Sequence, residues 1–296
     1  MKKIYYLSSN NENLFIEFLR SDKDFIKREQ LLKLNKKEIQ KVTMVAIDTP
    51  NVKDLFLPFQ KKIIYFLEYK QARSKRNIFN SYLYAIFFDL IFEWDTNFFK
   101  HSKSFLPFFP ARVGLIHEMS SVKEVRSINY FLEEDFYSKK THLISSVVSN
   151  KTFLEWHKLR LDLIFSLKSL IKELDVFGRG FNLIKDKSNA LIKYKYHIAA
   201  ENCDSGPSEK LWDPLLCQCV VFYIGNLDFV HPRIRPAIVP IDIYDIQSSY
   251  KKIKLELQTS QIFNSLSIND WKSIKQTIIS YYSFGEIVKN QIQFYT

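Results

Sequence analysis

Short, unbroken apolar runs recur along this 296-residue chain, and they constrain its fold more than any other feature. Ile4 to Leu7 is the first. Val42 to Ile47 (VTMVAI), Ile63 to Leu67 (IIYFL) and Leu90 to Trp94 (LIFEW) follow. Leu143 to Val148, Val176-Phe177, Tyr196 to Ala200 and Cys219 to Ile224 continue the series. They are rich in β-branched and aromatic residues and do not alternate with polar ones. That pattern reads as strands buried on both faces. Helical stretches lie between them, which predicts an α/β protein with mainly parallel sheets covered on both sides. Ligands of such sheets sit at the carboxyl ends of the strands. Asp48, Glu68 and Asp95 fall at such ends.

Phe15 to Leu34 reads as a mixed helical stretch. Thr152-x-x-Glu155 reads as a capping box. After it, Trp156, Leu159, Leu163, Leu167, Leu170 and Leu174 recur at three- and four-residue spacing, the period of a helix. Trp271 to Phe294 carries a further helical pattern that packs back on the core. The boundary between halves is expected near Tyr137 to Thr141, giving an N-terminal domain 1–140 and a C-terminal domain 141–296. The chain shows no internal repeat and no low-complexity segment.

A hydrophobic content of 46% excludes wholesale disorder. No apolar stretch is long enough for a membrane span. The N-terminal sequence MKKIYYLSSNNENLF turns polar by Ser8 and lacks the apolar centre of a secretory signal. Cys203, Cys217 and Cys219 have neither metal-ligand spacing nor the even number of a disulfide framework, so a reducing, cytoplasmic setting is expected. The net charge of +11 favours polyanions. The basic residues are dispersed, the densest group being Lys70, Arg73, Lys75 and Arg76. No nucleic-acid-binding module is visible and no nucleic-acid partner is expected. A solvated basic surface and a peripheral footprint on an anionic membrane are the two readings left.

The chemistry concentrates between Tyr194 and Gly225: YKYHIAAENCDSGPSEKLWDPLLCQCVVFYIG. It reads as strand, loop, helix, strand. Ser208 is a plausible N-cap, and Lys210 falls in the first helical turn. A helix N-terminus with a lysine suits an anionic ligand such as a phosphate.

The runs YKYHIAAEN and SEKLWDPLL, and the apolar run ending in Tyr-x-Gly, resemble the donor-site signature of the family 10 glycosyltransferases, the α-1,3/1,4-fucosyltransferases. Ser149-Asn150-Lys151 with Arg160, then DVFGRG (Asp175 to Gly180), precede it in that family's order. Ile241-Asp242-Ile243-Tyr244-Asp245 follows it. The resemblance covers roughly residues 141 to 250. It implies a GT-B fold, two Rossmann-like domains facing each other across a cleft, and inverting transfer of fucose from GDP-fucose to a glycan hydroxyl. No cofactor is required on this reading, and a divalent cation is not essential.

The resemblance also assigns residues. Lys210 and Arg160 match the cations that meet the diphosphate. Glu209 matches the glutamate beside the lysine, at the donor sugar or ribose. Asn150, Glu201, Asn202 and Ser208 belong to the donor site by position, and Arg179, between two glycines, lies where the nucleotide would pass. Glu68 is the candidate base, with Glu93, Asp95 and Glu118 as competitors. Gly206-Pro207-Ser208 replaces the family's usual aromatic and threonine. That departure leaves open another nucleotide sugar or an inactive nucleotide- or glycan-binding homologue. Pro214 is expected to kink or shorten the helix that Ser208 starts.

Overall fold

The computed structural model describes residues 4–9, 19, 24–66, 83, 86–93, 102–104, 128–184, 186–202 and 206–295. The chain divides into two compact units, Met1–Leu106 and Pro107–Thr296.

The first unit carries a six-stranded sheet. Its strands are β1 (Ile4–Ser8), β2 (Phe25–Ile26), β3 (Val42–Ile47), β4 (Lys61–Phe66), β5 (Leu90–Glu93) and β6 (Ser102–Ser104). They run in the order β2-β1-β3-β4-β5-β6, and every pairing is parallel. All six residues of β3 are buried, as the unbroken apolar run predicts. Three short helices, α1 (Arg28–Leu31), α2 (Lys36–Ile39) and α3 (Val52–Leu55), form one layer. Their Leu31, Ile39 and Leu55 pack with Tyr6, Val42 and Met44, which point to one face by strand alternation. Ala46, Ile64, Phe66 and Ile91 continue that apolar surface.

The helix expected over Phe15 to Leu34 is corrected within the described residues. Phe25–Ile26 is a strand paired parallel to β1, and only Arg28–Leu31 is helical after it. The Tyr5 amide bonds the Asp24 carbonyl at 3.2 Å, and the Tyr5 and Phe25 rings lie 5.8 Å apart. This pairing with a distant strand overrides the local helical tendency. β1 has β2 on one side and β3 on the other, so the order in which strands are added switches sides at β1, and the carboxyl ends of β1 and β3 form the switch point of this sheet. A buried network fills that point. Asp54 accepts from the Tyr6 hydroxyl at 2.9 Å, the Ser8 hydroxyl at 2.8 Å and the Arg28 guanidinium at 3.1 Å.

The second unit carries a five-stranded parallel sheet, ordered β11-β10-β9-β7-β8. These are β7 (His142–Val147), β8 (Leu174–Phe177), β9 (Tyr194–Ala200), β10 (Val220–Ile224) and β11 (Ile238–Pro240). Around it lie α4 (Ile128–Glu133), α5 (Glu155–Leu170), α6 (Glu209–Leu216), α7 (Ile246–Thr259), α8 (Gln261–Ser265), α9 (Ile268–Tyr282) and α10 (Phe284–Tyr295). The C-terminal helical pattern is thus two helices, broken at Ser283. α9 docks on α6 through Trp212 and Tyr282, whose rings are 4.4 Å apart. Pro214 lies inside α6, which ends two residues later. Among the described residues, no helix is long and apolar enough to cross a membrane.

The Thr152 capping box is not formed. Leu154 has extended backbone, so Glu155 is the first helical residue and Leu154 is an N-cap without a side-chain bond. The buried stripe of α5 also differs from the leucine pattern. It keeps Leu163 and Leu167 of that pattern but adds His157, Arg160, Leu161 and Ile164, while Leu170 is exposed and Leu174 belongs to β8.

Candidate donor-binding site

β7 has β8 on one side and β9 on the other, which makes the carboxyl ends of β7 and β9 the switch point of the second sheet. Arg160 spans it. Its Nη1 donates to Asn202 Oδ1 at 2.6 Å, beyond β9, and its Nη2 to the Ser149 carbonyl at 3.4 Å, beyond β7. The side chain reaches there because α5 turns it inward, leaving 5% of the residue exposed. Burial draws its basicity down and the Glu201 charge opposes that. Its Nε is buried without a hydrogen-bond partner.

Glu201, the first residue after β9, is the hub of a second set of contacts. Its Oε1 accepts from the Ser208 amide at 2.9 Å and the Tyr223 hydroxyl at 3.2 Å. Its Oε2 accepts from the Ser208 hydroxyl at 2.6 Å and Lys210 Nζ at 3.3 Å. Ser208 Oγ in turn accepts from the Lys210 amide at 3.3 Å, capping α6 as its sequence position predicts. Burial alone would lower the Lys210 ammonium, but Glu209 and Glu201 outweigh it and hold it above its ordinary value. Glu209 Oε1 lies 3.8 Å from Lys210 Nζ. α6 is fixed from below by Lys187, which pairs with buried Asp213 at 2.7 Å and bonds the Glu209 carbonyl at 3.2 Å.

Gly225 explains the Tyr-x-Gly ending of β10. A Cβ there would stand 2.5 Å from the Tyr223 hydroxyl and 2.9 Å from Glu201 Cγ. The loops after β7 and β8 are fitted together in the same way. The Asn150 amide bonds the Arg179 carbonyl at 2.9 Å. A Cβ on Gly180 would meet Asn150 Cγ at 2.8 Å, and one on Gly178 (φ 119°) would meet the Val148 carbonyl oxygen at 2.1 Å. Asn150 and Arg179 are exposed. A cavity of about 390 Å³ opens at the ends of β10 and β11, beside Trp156, Gly225, Tyr244 and Lys252.

His157 also joins this corner, which corrects the sequence expectation that it lies on another face of the helix from Arg160. It is buried on the same face of α5 as Arg160, with its ring edge-on to Phe153 at 4.4 Å. Its Nδ1 has no hydrogen-bond partner. Burial, then the charges of Arg160, Lys151 and Lys210, lower its pKa to about 4. Four basic side chains therefore share one field, and the imidazole among them is neutral at pH 7.

Structure thus brings Arg160, Glu201, Asn202, Ser208, Glu209 and Lys210 together, with Asn150 and Arg179 at the neighbouring loop. Glu68, Asp95 and Glu118 lie outside the described residues. Glu93 ends β5 in the first unit and is buried. Asp242 and Asp245 serve locally: Asp242 accepts from the Tyr244 amide at 2.8 Å and Asp245 caps α7 through the Ser248 amide at 2.9 Å. Among the described residues, no group of three or more His, Cys, Asp or Glu is placed to hold a metal ion.

No protein-family model and no curated protein matches the chain. Solved structures do. An alpha-glucosyltransferase in complex with UDP and a 13-mer DNA containing a central A:G mismatch is 11% identical, covers 98% of each chain and superposes with a TM-score of 0.57. An alpha-glucosyltransferase with UDP and a 13-mer DNA containing a HMU base gives 0.58 at the same identity and coverage. TarM, from S. aureus, is 10% identical over 90% of this chain and 56% of its own, with a TM-score of 0.50. The likeness is one of fold: the chain has the GT-B glycosyltransferase fold. It reaches that class and not the family 10 subdivision within it.

Proposed function

We propose that this protein is a glycosyltransferase whose nucleotide-sugar donor binds at the carboxyl ends of β7 and β9, with the diphosphate met by Arg160 and Lys210. The observation that carries this reading is the convergence of those two cations on residues 201–202. As the acceptor hydroxyl attacks the anomeric carbon, negative charge builds on the departing diphosphate. Fixed cations at that point stabilise it without reorganising. This role requires no divalent cation. A carboxylate takes the acceptor proton; Glu68 is the residue proposed, with Glu93, Asp95 and Glu118 as its competitors.

The donor favoured first is a UDP-hexose, because the fold neighbours named above were solved with UDP. GDP-fucose is the second donor, supported by the SEKLWDPLL and AEN motifs. The acceptor is a glycan hydroxyl on the motif resemblance. DNA is the second acceptor reading, supported by the net charge of +11 and by the DNA in those two neighbours.

Thermal stabilisation by UDP, UDP-glucose, UDP-N-acetylglucosamine, GDP and GDP-fucose tests the reading on wild type and Lys210→Ala. A rise with one nucleotide family, lost in the variant, is expected. Slow donor hydrolysis, unaffected by EDTA, is the accompanying activity. Absence of any nucleotide effect overturns the reading.

A further inference from the structure

The layer formed by α1, α2 and α3 buries Leu31, Ile39 and Leu55 against the first sheet, and apolar side chains of this layer and of the segment packed on it are exposed. Phe56 is 74% exposed, Leu32 68% and Ile86 78%. Phe56 stands edge-on to Phe87 at 5.8 Å, and Phe87 packs on the cluster containing Leu31, Ile39 and Leu55; Leu32 and Ile86 are the chain neighbours of Leu31 and Phe87 in that cluster. Apolar groups left this open in a folded protein mark an interaction surface.

The charges beside them have one predominant sign. Lys33, Lys36, Lys37, Lys41 and Lys53 are all exposed on the same layer. Between Lys27 and Phe56 there are seven cationic residues and four acidic ones, a net +3. Of the acids, Asp54 is buried in the Arg28 pair, and Glu38 bonds the Asn35 amide at 2.7 Å.

We propose that this face docks on an anionic lipid surface, with Leu32, Phe56 and Ile86 entering the headgroup layer and the lysines meeting lipid phosphates. Exposed apolar side chains on a layer that also carries exposed lysines match the interfacial pattern, since the apolar groups gain from the acyl boundary and the lysines from the surface potential. A nucleic acid would use the lysines but leave the apolar groups in water. A protein partner fits less well, because lysine is depleted from protein interfaces. The surface belongs to the first unit and is independent of the donor site.

The test is co-sedimentation of the full chain with phosphatidylcholine–phosphatidylglycerol vesicles, against pure phosphatidylcholine vesicles and duplex DNA. Binding to the anionic vesicles, weakened by salt, is expected. Phe56→Ser/Ile86→Ser and Lys36→Glu/Lys37→Glu should each lower vesicle affinity at least ~10-fold. Both pairs change exposed side chains, and unchanged melting temperatures establish that the variants are folded; if one pair unfolds, the other decides. Failure to bind anionic vesicles, or affinity unchanged in the folded variants, overturns the proposal. So does a preference for duplex DNA that depends on the lysines and not on Phe56 and Ile86.

Discussion

Arg160 Nη1 and Asn202 Oδ1 lie 2.6 Å apart, and this bond ties the helix that leaves β7 to the loop that leaves β9. The two residues are 42 positions apart in sequence. Their meeting places a guanidinium across the point where the strand order reverses. Arg160→Lys keeps the charge but loses the fork that reaches both loops. We expect Arg160→Ala to lower donor turnover about 100-fold or more, and Arg160→Lys to recover only part of it. Steady-state kinetics with the donor identified by thermal shift checks this; equal rates for wild type and Arg160→Ala would remove Arg160 from the diphosphate site.

Glu201 and Lys210 form a mostly buried pair, so removing one partner costs more than removing both. Glu201→Ala should destabilise by about 3 kcal/mol, and Glu201→Ala/Lys210→Met by clearly less. Urea titration of the single and double variants measures the coupling. The folded Lys210 ammonium titrates above its ordinary value. Its share of stability is therefore present below the unfolded pKa of about 10.4 and is lost as pH rises through the higher folded value.

His157 has the opposite sign. Its folded pKa of about 4 lies below the ordinary value of 6.5. The unfolded chain therefore binds the proton more tightly, and stability falls as pH drops from 6.5 towards 4. The loss is on the order of 2 kcal/mol. His157→Phe should flatten the urea midpoint over that interval. A slope equal to wild type would place the acid sensitivity elsewhere.

Gly225→Ala inserts a Cβ where Tyr223 and Glu201 already stand. We expect a loss of about 1–3 kcal/mol from overpacking. Tyr223→Phe removes the hydroxyl that lies 2.5 Å from the added Cβ, so Gly225→Ala should cost less in that background. A melting-temperature comparison of the four proteins decides it, and strict additivity would count against the packing account.

The strand runs were legible because a strand buried on both faces needs apolar residues at every position, as in β3 and β10. The order of those runs with intervening helices implied parallel sheets, and the GT-B fold follows that class. Ser208 was legible as a cap because a cap is a contact between near neighbours. The failures are equally local in cause. Phe25–Ile26 carries no strand signal of its own and becomes β2 by pairing with β1. Thr152 has the right spacing for a capping box, yet the backbone enters the helix only at Glu155.

Residue types, their spacing and the local preferences they create belong to the chain as written: the strands, the cap on α6, and the clustering of basic and acidic residues near Lys210. Direction in space does not. Arg160 and His157 face inward because the buried stripe of α5 extends beyond Leu163 and Leu167 to their side, and neither a polar residue's turn toward the core nor its partner follows from a helical period. Glu201 meets Tyr223 because parallel pairing brings the ends of β9 and β10 side by side. Such contacts depend on which strands become neighbours, and that is settled by the packing of the whole sheet.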